Sequence, residues 1–303
     1  MNSCSWEENV MLLTRENTVI GFIGTGVMGR SMAGHLLKGG FRVAVYNRTK
    51  ARAEELIQAG ALWKDTVAEV AAGCNVIITM VGYPSDVEEV YFGDEGVIRH
   101  AKPGSYLIDM TTSSPSLARK IYEKAEKREL MALDAPVSGG DVGAREARLA
   151  IMVGGDAAAF EAIKPILEIM GKNIVLQGDA GAGQYTKMCN QIAIASNMMG
   201  VCEAVAYAQR AGLDPARVLQ SIETGAAGSW SLSNLAPRII DGNFAPGFYV
   251  KHFIKDMNIA LDSAKEMGLW TPGLELAKSL YEKLAAQGDQ DSGTQALYKL
   301  LNR

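Results

Sequence analysis

The chain has 303 residues, 48% hydrophobic and 21% charged, a balance that suits a large apolar core shared between two domains. Its net charge of −4 comes with no basic face, which argues against nucleic acid and anionic membranes as partners. Four scattered cysteines and three scattered histidines form neither CxxC nor HExxH, so the composition points away from disulfides and metal sites and toward a reducing, cytoplasmic setting.

Residues 1–17 mix Glu7, Glu8, Arg15 and Glu16 with one short apolar patch. They match neither a secretory signal nor a transit peptide and are expected to be a flexible leader. From Thr18 onward, β-branched runs alternate with amphipathic segments. Strands are expected at 18–23, 41–46, 75–81, 105–110 and 129–135, with helices after the turn at 24–29 and at about 49–60, 85–92 and 114–127. Two further strands, 149–155 and 173–178, flank an alanine-rich helix at 156–170. This alternation predicts a parallel, doubly wound α/β sheet. Beyond Gly178 the strand signals stop, and helices are expected at 182–210, 214–223, 230–241, 251–267, 272–286 and 291–301. The expected division is therefore 18–179, α/β, and 180–303, all-helical. No apolar run approaches the roughly 18 residues of a membrane span.

Gly24-Thr25-Gly26-Val27-Met28-Gly29 is GxGxxG, lying directly between an expected strand and an expected helix. That context makes the first domain a Rossmann-type dinucleotide binder: Gly24 for the tight turn, Gly26 for approach of a pyrophosphate, Gly29 for close helix–strand packing. The second strand ends in Asn47-Arg48-Thr49-Lys50, with no acid to accept from a ribose 2′-hydroxyl. A guanidinium there suits a 2′-phosphate, so NADP(H) is favoured and NAD(H) remains possible.

Two stretches outside the fingerprint carry chemistry. Ser138-Gly139-Gly140 follows a strand end and can offer a hydroxyl and successive backbone N–H groups to a carboxylate. Lys187 stands alone among apolar neighbours near the head of a long helix, with Asn190 on the same face. A lysine in such surroundings has its charged form disfavoured, which moves it toward proton transfer, and Asn190 can orient it or bind substrate. No YxxxK pair lies on a helix, and neither a GxSxG elbow nor a P-loop is present.

Taken together, GFIGTGVMG, YNRT, DAPVSGG, the GxGxxxKxxN run at 181–190 and KDMNIAL at 255–261 resemble the β-hydroxyacid dehydrogenase family over residues 18–300. The resemblance implies that Lys187 is the catalytic acid/base and that Ser138, Gly139 and Gly140 bind the substrate carboxylate. It also implies that Met80, Val81, Thr112 and Lys255 lie near the nicotinamide. Phe248, eight residues before Asp256, resembles the spacing of the glyoxylate and succinic semialdehyde reductases, so both residues are candidate substrate contacts. Two positions depart from the family pattern: Gln191 stands where a second asparagine is common, and Val81-Gly82-Tyr83-Pro84 where Leu-Pro is common. The expected activity is NADP-dependent oxidation of a small hydroxy acid or reduction of its semialdehyde. A semialdehyde reductase is the alternative, and an NADP sensor the non-enzymatic one. The apolar middle of the helix, Ile192 to Val205, predicts a homodimer or homotetramer through the helical domain.

Overall fold

The computed structural model describes residues 13–302. Most of the expected leader, 1–17, lies outside the described residues; its last part is a turn in which Thr14 N–H donates to Asn17 Oδ1 at 2.8 Å. The chain divides into two compact units, Met1–Lys187 and Met188–Arg303.

The first unit is built on a sheet of nine strands among the described residues. They are β1 Val19–Ile23, β2 Arg42–Tyr46, β3 Leu62–Trp63, β4 Val76–Thr79, β5 Tyr106–Asp109, β6 Met131–Asp134, β7 Val137–Ser138, β8 Leu149–Gly154 and β9 Gly171–Gly178. The order is β3-β2-β1-β4-β5-β6-β8-β7, with β9 also on β8. β1 to β6 are mutually parallel, and β9 is parallel to β8. β8 runs antiparallel to β6 and β7, a departure from the all-parallel expectation. The connection from Ser138 to Leu149 is shorter than the dozen or so residues that a parallel crossover requires, so the chain returns in the opposite direction.

Alternation along each strand sorts its side chains to two faces. Ile20, Phe22, Ile78 and Ile108 join one buried cluster with Met32 and Leu36 of the helix Val27–Lys38. Ile23, Ile77 and Leu107 join the other, with Val70, Val87 and Ile121. Both faces are covered, which is why the strands read as nearly continuous apolar runs.

β3, β7 and the helices Val67–Gly73, Val97–His100 and Gly140–Arg145 were not anticipated: each is too short to show a period. The segment 49–60 opens as a 3₁₀ turn, Lys50–Ala53, before an α-helical Glu54–Gln58.

In the second unit the helix Ala182–Arg210 continues from the first, and Met198, Cys202 and Val205 enter a core with Phe253, Met257, Ala260, Tyr281 and Leu284. The Phe253 and Tyr281 rings meet edge to face at 5.1 Å, and the Tyr281 hydroxyl donates to Thr294 O at 2.8 Å. The expected helix 230–241 is two, Trp230–Asn234 and Ala236–Ile240, because Pro237 has no N–H to continue the first. The expected helix 291–301 is 3₁₀, Asp289–Asp291 and Thr294–Leu300. Among the described residues no helix is long and apolar enough to cross a membrane.

Gly183 shows how closely the head of the long helix meets the sheet. A Cβ there would collide with Met152 O and lie 2.7 Å from Asp134 O, both backbone atoms. Gly183→Ala should cost about 1–3 kcal/mol through overpacking. Thermal unfolding checks it, and a melting temperature equal to wild type would contradict the packing described.

Candidate active site

The carboxyl ends of the parallel strands carry the candidate residues on one edge of the sheet, where open α/β sheets bind ligands. After β1, Gly24 has φ +99°, and a Cβ would collide with Met80 O. A Cβ on Gly29 would collide with Gly24 O. On Gly26 a Cβ would meet nothing within 4 Å, so the space beside this backbone is open. Gly26 caps the helix Val27–Lys38 with no side-chain hydrogen bond, and the first turn holds no acid. Its N–H groups therefore present an uncompensated positive end. Val27 is exposed there, while Met28 packs against the sheet core. Thr25 Oγ1 is buried with no hydrogen-bond partner. This open, positive cradle fits a pyrophosphate.

Asn47 ties the loop to the end of β2. Thr25 N–H donates to its Oδ1 at 3.1 Å, and its Nδ2 donates to Thr49 O at 2.9 Å. Arg48 extends into solvent and pairs with Asp86 at 3.0 Å.

Between β4 and β5 lies a buried polar cluster that sequence reasoning missed. The Thr79 hydroxyl donates to Asp109 Oδ1 at 2.8 Å, and Thr111 N–H donates to the same oxygen at 3.0 Å. Thr111 Oγ1 in turn accepts from Val81 N–H at 3.0 Å. The backbone of Met80-Val81 and the start of the Thr111–Thr112 loop are thus held by one carboxylate. Burial pushes the Asp109 carboxyl up to about 6, against the bonds from Thr79 and Thr111 and with a smaller push from the charge of Asp134.

Asp134, paired with Asp109 across β5 and β6, organises the other half. Its Oδ1 accepts from Gly181 N–H and its Oδ2 from Gln184 N–H, each at 2.7 Å, at the head of the long helix. Burial raises its carboxyl above the usual range, and these N–H groups oppose the rise. The Gln184 side chain then bridges to the next loop, accepting from Ser113 N–H at 2.9 Å and donating to Thr111 O at 2.8 Å. Thr112, half-buried, sits between the two anchored residues. One turn after Gln184 comes Lys187, 6% exposed. Ser138 ends β7, followed by Gly139 at φ +129° and Gly140 at φ +61°, a backbone that other residues rarely adopt. The short helix they open is fastened by His35, whose Nε2 lies 2.9 Å from Ala144 O.

Within the second unit itself lie the candidate residues Asn190, Phe248, Lys255 and Asp256. Asn190 Nδ2 donates to Gln191 Oε1 at 2.7 Å, and Gln191 Nε2 donates to Asp256 Oδ2 at 2.6 Å. Lys255 Nζ lies 3.0 Å from Asp256 Oδ1. Phe248 packs on Phe253, ring centroids 5.6 Å apart. Gln191 was noted only as a departure from a pattern; its partner lies 65 residues away, beyond any local signal. Among the described residues no group of His, Cys, Asp and Glu is disposed to hold a metal ion.

Comparison with known proteins gives a consistent picture. Residues 19–178 match the family model for the NAD binding domain of 6-phosphogluconate dehydrogenase, and residues 181–301 that for the NAD-binding region of NADP-dependent 3-hydroxyisobutyrate dehydrogenase. The chain is 68% identical to the uncharacterized oxidoreductase YkwC of Bacillus subtilis, an alignment covering 93% of this chain and 98% of that one. It is 40% identical to 2-hydroxy-3-oxopropionate reductase of Escherichia coli, over 93% and 96% of the two chains. The solved structure of Mycobacterium tuberculosis 3-hydroxyisobutyrate dehydrogenase with L-serine superposes with a TM-score of 0.87 at 31% identity, over 94% and 99%.

The Asp109 cluster predicts a pH dependence of stability. The folded-state value, about 6, lies above the roughly 3.9 of an unfolded chain, so the folded protein holds this proton more tightly. The contribution is full below about pH 4 and is lost as pH rises through about 6; Asp134, also raised, acts in the same direction. Asp109→Asn should flatten the decline in unfolding free energy between about pH 4 and 7. Urea titrations across that range check it, and a slope equal to wild type would contradict the assignment.

Proposed function

The chain belongs to the β-hydroxyacid dehydrogenase family, and we propose that it is an NADP-preferring member acting on a small hydroxy acid and its semialdehyde, with Lys187 as general acid/base. The observation that carries this reading is the burial of Lys187 one turn into a helix whose head is tied to the carboxyl edge of the sheet by Asp134. A buried amine in a fixed position exchanges its proton with a bound ligand rather than with bulk water. As an amine, Lys187 Nζ takes the proton of the substrate hydroxyl in oxidation. As an ammonium, it polarises the carbonyl and returns the proton in reduction.

A bound nicotinamide cofactor supplies or accepts the hydride. Gly24 to Gly29, Asn47, Arg48, Thr49, Met80, Val81, Thr112 and Lys255 would hold it. The preference for NADP rests on Arg48 and Thr49, which follow β2 in a stretch with no acid of its own to accept from a ribose 2′-hydroxyl; Arg48 would exchange its ion pair with Asp86 for the 2′-phosphate. Ser138, Gly139 and Gly140 would receive the substrate carboxylate, and Asn190, Phe248 and Asp256 are the substrate contacts proposed for the second unit. The spacing of Phe248 and Asp256 supports glyoxylate or succinic semialdehyde reduction as the second reading.

We place this activity in the cytoplasm and in a homodimer or homotetramer. Along the long helix Cys189, Ala193, Ser196 and Gly200 are exposed, and Met267, Leu269 and Trp270 of the same unit also face solvent. A second copy covering them accounts for an apolar helix that the single chain leaves partly bare.

Lys187→Ala should lower kcat by about 10²–10⁴ while NADPH binding, read by fluorescence titration, stays at the wild-type level. Full turnover in that variant would end the acid/base assignment, and a wild-type protein that binds NADPH but turns over no small hydroxy acid or semialdehyde would favour a sensor. Arg48→Ala should raise KM for NADPH far more than for NADH; equal effects would mean that Arg48 does not read the phosphate.

A further inference from the structure

Phe248 lies in a loop, residues 241–249, between the helices Ala236–Ile240 and Val250–Glu266. Three consecutive residues near the end of the chain grip this loop. Gly293 N–H donates to Phe244 O at 2.9 Å, and Thr294 N–H donates to Phe248 O at 3.2 Å. The side chain of Gln295 takes two more carbonyls: its Nε2 donates to Asn243 O at 3.0 Å and to Ala245 O at 3.2 Å. Arg238 reaches Ala245 O as well, through an exposed contact. The Phe248 ring packs on Phe253, Phe253 packs on Tyr281, and the Tyr281 hydroxyl donates to Thr294 O at 2.8 Å. Backbone and ring of Phe248 therefore both lead back to the segment that holds the loop.

The loop has little of its own to fix its shape. Pro246 has no N–H to donate, and Gly247 has the widest backbone freedom of any residue. Its conformation is imposed by the groups that receive its carbonyls. Gln295 is the side chain among them, and it is 1% exposed. Fixing a long amide side chain out of water costs rotamer entropy and hydration, and an apolar residue of the same length would fill the place without either cost. What the amide adds is a pair of N–H groups, enough to hold two carbonyls of one loop. Asn243 and Ala245 themselves stand at the surface, so water replaces a lost donor to their carbonyls. Removing the Gln295 amide thus releases the loop and leaves the helical core of the unit in place.

We propose that Gln295 is a positioning residue for substrate selection: by holding the loop at Asn243 and Ala245 it sets the place of Phe248, and Phe248 reads the carbon side of the substrate. The proposal rests on the reading of Phe248 as a substrate contact. An aromatic ring offers a ligand apolar surface, so a ring fixed in place favours a hydroxy acid with an alkyl branch over one without. A ring on a released loop discriminates less. Gln295 touches no ligand in this account and acts through Phe248 alone.

The test compares 3-hydroxyisobutyrate with 3-hydroxypropionate, which lacks the branching methyl. On the full-length protein with NADP, kcat/KM is measured for each acid, and NADPH affinity is read by fluorescence titration. Gln295→Met keeps the length and removes both N–H groups. It should lower the ratio of the two kcat/KM values by about fivefold or more, within the range that one methyl can carry, with NADPH affinity unchanged. Phe248→Ala should lower the same ratio. Adding Gln295→Met to Phe248→Ala should change it no further than about twofold, since the ring through which Gln295 acts is gone. Gly293→Ala serves if Gln295→Met fails to fold: its Cβ would collide with Gln295 Oε1 and lie 2.9 Å from Ala245 O, and it should lower the ratio likewise. A wild-type ratio in the variant that folds overturns the proposal. So does a loss that recurs in full when Phe248 is already alanine, or one matched by an equal loss of NADPH affinity. If Phe248→Ala lowers the ratio and Gln295→Met does not, the substrate contact stands and this inference alone falls. A Phe248→Ala variant with wild-type kinetics, or a wild type that turns over neither acid, takes both down.

Discussion

One buried carboxylate decides where the long helix begins. Asp134 receives the N–H groups of Gly181 and Gln184, so the first turn is anchored to the end of β6 rather than to its own sequence. Charge-assisted bonds of this kind are roughly twice as strong as neutral ones. Everything that follows is set by helical geometry: Gln184 reaches sideways to Thr111 and Ser113, and Lys187 comes one turn later. The small residues Gly154 and Gly183 are the steric counterpart. A Cβ on Gly154 would lie 2.6 Å from Asp134 Oδ1, so no larger residue leaves the carboxylate room.

The same region shows what function asks of stability. Asp109 and Asp134 are register partners on adjacent strands, both buried and both raised above the ordinary carboxylate range by that burial. An apolar pair would fold more comfortably there. What the two acids supply is orientation: Asp109 fixes Val81 through Thr111, and Asp134 fixes the helix that carries Lys187. These loops and the glycine turn all leave the same edge of the sheet.

The glycine turn was legible in the sequence because each glycine has its own steric cause, and the surrounding strand and helix each carry a period. The long helix was legible to its ends because glycines bound it, Gly181 before and Gly212 after, with no strand or turn signal between. β3 and β7 were not, since two residues cannot display an alternation, and the reversal of β8 follows from loop length rather than from any strand signal. Among site residues, the motif stretches and Lys187 could be picked out singly, by residue type against background. The residues that hold them could not. Asp134 meets Gly181 across 47 positions and Gln191 meets Asp256 across 65, and an acceptor that far from its donor leaves no local mark. Gln191 shows the limit well: visible as an odd residue, it gained a meaning only when its partner was known.

The central claim is direct hydride transfer from a hydroxyl-bearing carbon, with the proton taken by this chain. It is tested most directly by following the isotope. Wild-type protein would be incubated with NADP and 3-hydroxyisobutyrate carrying deuterium on its hydroxyl-bearing carbon, and the reduced cofactor examined by mass spectrometry and NMR. The account predicts a single deuterium retained at C4 of the nicotinamide. Reduced cofactor without deuterium, or no reduction with this or any other small hydroxy acid, would contradict it.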